Sequence, residues 1–183
     1  MIDSKQASAA LEDINDVVKR VRQSRIYEIA SLIITFWGVL VFVAYILNHN
    51  WPRQGYTIWT SINLLGLVIS VAVGFAVNVR SGSRTFPIRS MMTFLLIGFF
   101  GVFSSVVLGH FGPRQMIVFW ALYGMLFYAI AGLWFGYAFI VIAACTSALT
   151  LIGYYYVGSA FLLWMAVAHG GGLVLGGLWM RRT

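Results

Sequence analysis

Apolar residues run in long blocks along this chain, broken by short polar stretches, and the block lengths set the elements. A hydrocarbon core of about 30 Å takes about 20 residues of helix. Blocks at 26–47, 56–79 and 90–110 have that length. The first ends at Asn48, His49 and Asn50, the second at Arg80, and the third before Gly112, Pro113 and Arg114. From Gln115 to Met180 no residue carries a formal charge. That stretch is too long for two crossings and divides into three, at 115–134, 137–156 and 159–180. Turns are expected near Gly132 to Tyr137 and Gly153 to Ser159, where glycine and interfacial aromatics gather. The pattern predicts an all-α integral membrane protein whose residues 26–183 form a bundle of six transmembrane helices.

Residues 1–25 read differently. Leu11, Ile14, Val18 and Val21 recur at three- and four-residue spacing, which makes one apolar stripe on a short amphipathic helix. Ser8 suits its cap, Glu12 and Asp13 its start, and Lys19, Arg20 and Arg22 its end. So short a helix is marginal alone in water, so the stripe needs a surface to rest on. The expectations are an anionic headgroup layer, the chain's own bundle, a cytoplasmic protein partner, or a second copy. Glu28, one turn into the first span, is expected at the interface beside Arg25, with gating as the sharper alternative.

Composition confirms the class and narrows the chemistry. Hydrophobic residues make up 61% of the 183 and charged residues 9%, against about 25% charged in a soluble domain. All the acids, Asp3, Glu12, Asp13, Asp16 and Glu28, precede position 29. Without later carboxylates, paired-acid hydrolysis, hard-cation binding, acid-oriented triads and carboxylate ion relays lose their residues. No catalytic residue, metal site or cofactor is nominated, and no enzymatic activity is expected. Cys145 has no second cysteine to pair with.

Charge also orients the bundle. With six spans, Lys5, Lys19, Arg20, Arg22, Arg25, Arg80, Arg84, Arg89, Arg181 and Arg182 share one side, and Arg53 and Arg114 the other. The positive-inside rule then places both termini in the cytoplasm. The first 25 residues lack the apolar segment of a cleavable leader. The net charge of +7 is accounted for by topology and anionic lipid rather than nucleic acid. A compact chain with this asymmetry is expected in a bacterial inner membrane.

Three groups inside the bundle are candidates. Gly66, Ser70 and Gly74 form one small-residue stripe and Ala168, Gly172 and Gly176 another, suited to close helix contacts and to a homo-oligomer. His169 lies in the middle of the last span, where it either bonds a facing Ser, Thr or Tyr or serves a ligand. Gly170, Gly171 and Gly172 follow it and weaken the helix, which suits a gate. His49 and His110 sit at the outer ends of their spans. Asn63, Ser104, Ser105, Thr146, Ser147 and Thr150 are expected to hydrogen-bond across helices.

A repeat would matter, because transporters are often built from one. Phe36, Trp37, Gly38 and Tyr45 align without gaps on Phe119, Trp120, Ala121 and Tyr128. Phe94, Leu95, Leu96 and Val107 to Gly109 align on Phe161, Leu162, Leu163 and Val174 to Gly176. Two functions follow as expectations: partner binding or regulation, and a small channel or transporter for an apolar or anionic solute on an inverted three-plus-three repeat. A haem-carrying subunit is a third.

Overall fold

The computed structural model describes residues 4–80, 88–107, 109 and 111–182, all helix and short connections with no strand among them. Helix α1 spans Ser4–Asn50, α2 Gly55–Arg80, α3 Ile88–Val107, α4 Pro113–Phe135 and α5 Tyr137–Tyr156. The last span is α6, Phe161–Met165, a π-helical turn at Ala166–Gly171, and α7, Gly172–Met180.

Among the described residues five helical stretches are long and apolar enough to cross a membrane: Tyr27–Asn50, Pro52–Ala76, Pro113–Phe135, Tyr137–Tyr156 and Phe161–Met180. The sequence reading expects six. Among the described residues the third block, α3, supplies Leu95–Val107 as a shorter apolar helix. The fold is that of a multi-pass helical membrane protein.

The N-terminal stripe does not sit on a separate short helix. α1 is a single helix of 47 residues, about 70 Å at 1.5 Å per residue, more than twice the hydrocarbon thickness. The reason is local: no glycine or proline occurs between Ser4 and Trp37, so nothing breaks the helix where charges give way to apolar residues. Its apolar part begins at Tyr27, and the rest extends beyond the bundle.

Turns fall where glycine permits them. Gly136 separates α4 from α5 at φ 131°, a backbone conformation other residues adopt only with strain. Pro113 opens α4, and the Gln115 side chain accepts a bond from the Gly112 N–H at 2.9 Å.

Four helices share the core. Tyr27 and Ile34 of α1, Met125 of α4, Phe139 and Ile142 of α5, and Leu173 and Met180 of α7 form one cluster. Val41 and Tyr45 of α1 join Val118, Ala121, Phe161 and Met165 in a second. α2 and α3 lie outside this core. Only 11% of α2's apolar window is buried, against 44% for the last span. Its tie to α1 runs through Trp37, whose ring covers Gly66 and whose Nε1 donates to Ser70 Oγ at 2.9 Å. α3 leans on α4 through Tyr123, whose hydroxyl donates to the Ile97 carbonyl at 2.8 Å.

Candidate functional site

The last span runs between α1 and α5, and small residues let it do so on both faces. Toward α1, a Cβ on Gly170 would sit 2.6 Å from Phe42 Cα, and one on Gly38 2.7 Å from the Val174 nitrogen. Gly177 meets the Ser31 carbonyl and the Thr35 nitrogen in the same way, both at 2.9 Å. Toward α5, a Cβ on Gly176 would sit 2.7 Å from Ile142 Cγ1, and one on Gly172 3.5 Å from Thr146 Oγ1. In lipid, where burial of apolar surface brings no hydrophobic gain, such contacts carry association. Gly38, Gly170 and Gly177 thus act as packing residues that spacing within one helix does not reveal.

His169 lies on the π turn and is buried, 8% exposed. Its Nδ1 is 3.2 Å from the hydroxyl of Tyr45 on α1, which is itself packed edge-on against Trp59 of α2. The Gly172 N–H reaches back to the Val167 carbonyl, the wide hydrogen bond that defines the turn. Such turns gather at functional positions, where they re-aim one side chain without ending the helix. α5 adds Thr146 and Thr150 to this region's wall; Thr150 is fully buried, and among the described residues its hydroxyl has no partner.

The glycine run is not uniformly a weak point. Gly170 is committed to close contact with Phe42, whereas a Cβ on Gly171 would meet nothing nearer than the Ala166 carbonyl at 3.9 Å. Of the other stripe, Gly66 and Ser70 are engaged by Trp37, while Gly74 has nothing within 4 Å. Ala168 is buried. The two aligned tryptophans have different partners: Trp37 lies on α2, and Trp120 on Gly101 of α3.

On the N-terminal extension Leu11, Ile14, Val17 and Val21 are between 59% and 63% exposed. The side chains of Val18, Lys19, Arg20, Arg22 and Arg25 lie outside the described residues, as does His110. Glu28 is exposed, and its carbonyl accepts a bond from Ser31 Oγ at 2.8 Å. His49 is exposed too, and among the described residues no three of His, Cys, Asp or Glu come together.

Arg114, read from the sequence only as an outer charge, is a structural tie. Its Nη2 donates to the carbonyls of Gly153 at 2.9 Å, Tyr154 at 2.6 Å, and Val157. The Gly153 carbonyl also accepts the Val157 N–H that closes α5, and a cation at this end meets the negative end of the helix dipole. The guanidinium lies 4.4 Å from the Phe161 ring centre. One side chain therefore joins α4, α5 and α6.

Set beside known proteins, the chain matches no family model, no curated protein and no solved structure.

Proposed function

We propose that this chain is a six-span inner-membrane protein that works by binding a cytoplasmic partner through the projecting part of α1, rather than by chemistry of its own. The observation that carries this reading is the exposed row of Leu11, Ile14, Val17 and Val21 on an uninterrupted extension of the first span. Apolar side chains exposed in a row along one helix suit burial against another protein, in the helix-in-groove manner.

Chain direction supports the sixth crossing. α1 is antiparallel to the last span, with Thr35 beside Gly177 and Phe42 beside Gly170. α5 is antiparallel to it as well, with Ile142 beside Gly176 and Gly153 beside Trp164. α1 and α5 therefore point the same way, and with α2 and α4 each crossing once, this parity supports a crossing by α3. Six crossings put ten of the twelve Lys and Arg on the side of both termini, hence in the cytoplasm.

The test is removal of residues 1–22 from the chain in its own membrane. Function and partner co-purification should be lost while the bundle inserts normally; retained function would end this reading.

A second reading, a small transporter, draws on the buried Tyr45–His169 pair beside the π turn. It requires His169→Ala to change solute flux in proteoliposomes without loss of folded protein. Unchanged flux would remove it.

A further inference from the structure

Asn63 lies at the middle of the Pro52–Ala76 crossing, on a flank of α2 beside the face that meets α1, and its side chain is exposed. Its Nδ2 donates to the Trp59 carbonyl of its own helix at 2.7 Å. Among the described residues nothing donates to its Oδ1, and one N–H of the amide is left over. A carboxamide facing hydrocarbon with half its capacity unmet is costly, because lipid tails offer no partner. The flank around it can be approached closely. Thr60 and Leu67 are exposed at helical spacing from Asn63, and Gly74, three turns on, has nothing within 4 Å of where a Cβ would be.

We infer that a second copy of this chain packs on this flank of α2, with the two Asn63 carboxamides hydrogen-bonded to each other. Two features single out a second copy. Copies inserted with the same topology present α2 in parallel, so each Asn63 lies at the same depth as its counterpart. A carboxamide is also self-complementary: each offers a donor and an acceptor, and a two-fold axis lets the pair exchange two bonds. A lipid chain satisfies neither group, and an unrelated helix would need a polar residue at that one depth.

The test uses the full chain with Cys145→Ser, in liposomes at fixed protein-to-lipid ratio. A cysteine at Leu67→Cys, on the Asn63 flank, should cross-link two copies on oxidation. One at Leu65→Cys, also exposed but on the opposite side of α2, should not. Energy transfer between labelled copies should show Asn63→Leu weakening association about tenfold, in line with interhelical hydrogen bonds, while Asn63→Gln keeps it. Leucine at a lipid-facing position does not threaten insertion, so the loss reports on pairing. Equal cross-linking at both cysteines, no energy transfer in the parent chain, or Asn63→Leu association equal to the parent's would each overturn the inference.

Discussion

The Tyr45 hydroxyl and His169 Nδ1 face each other across 3.2 Å inside the bundle, joining the first span to the π turn of the last. The two residues are 124 positions apart. Their contact occurs where α1 and the last span pass backbone to backbone at Gly38 and Gly170. Removing it should cost little. Tyr45→Phe is expected to lose about 0.6 kcal/mol of bundle stability, and up to about 1.7 kcal/mol, as measured for interhelical bonds in lipid. A double-mutant cycle with His169→Phe, read by unfolding in bilayers, should return a coupling of that size; additive effects would mean the contact contributes nothing.

Neighbouring glycines should behave in opposite ways. Gly170→Ala forces a methyl to 2.6 Å from Phe42 Cα, and should destabilise by about 1–3 kcal/mol, as overpacking does. Gly171→Ala has room, and helix propensity should make it neutral or stabilising by up to about 1 kcal/mol. Thermal unfolding of the two variants in one detergent checks this. Similar losses from both would mean the glycine run serves flexibility rather than close approach.

Arg114→Ala should loosen the outer end of the bundle. It removes the guanidinium donor from the carbonyls of Gly153, Tyr154 and Val157, and a charge-assisted bond contributes about 1.5–3 kcal/mol. Arg114→Lys should recover only part of this, since one ammonium cannot reproduce the planar fork. Protease accessibility of the α5–α6 connection is the readout, with increased cutting expected in the order Arg114→Ala, Arg114→Lys, parent.

Six crossings place Ser83 and Gln115 on opposite sides of the membrane. With Cys145→Ser, a cysteine at Ser83→Cys should react with an impermeant maleimide only from the cytoplasmic side, and one at Gln115→Cys only from the other. Labelling of both from one side would mean that α3 does not cross.

What the sequence makes legible follows from which forces act locally. Apolar block length reveals the five membrane-length helices found among the described residues, and the glycine at 136 reveals a turn, because both depend on a few neighbouring residues. The continuity of α1 was available in the lack of glycine and proline before Gly38, but the change from charged to apolar residues near Glu28 reads as a boundary. Arg114, Gly38 and the Tyr45–His169 contact depend on the register of helices far apart in the chain. Nothing within one helix announces them. The stripe Gly66, Ser70 and Gly74 shows the limit of spacing: two members sit under Trp37, and the third faces outward.

The central claim is that the N-terminal part of α1 holds a cytoplasmic protein, and photo-cross-linking in intact membranes tests it most directly. A benzophenone amino acid at Ile14, in the exposed row, should give one discrete protein adduct. Val21→Asp, two turns along the same helix, should abolish it without changing the amount of inserted chain. Adducts to lipid alone, or a protein adduct unaffected by Val21→Asp, would contradict the account.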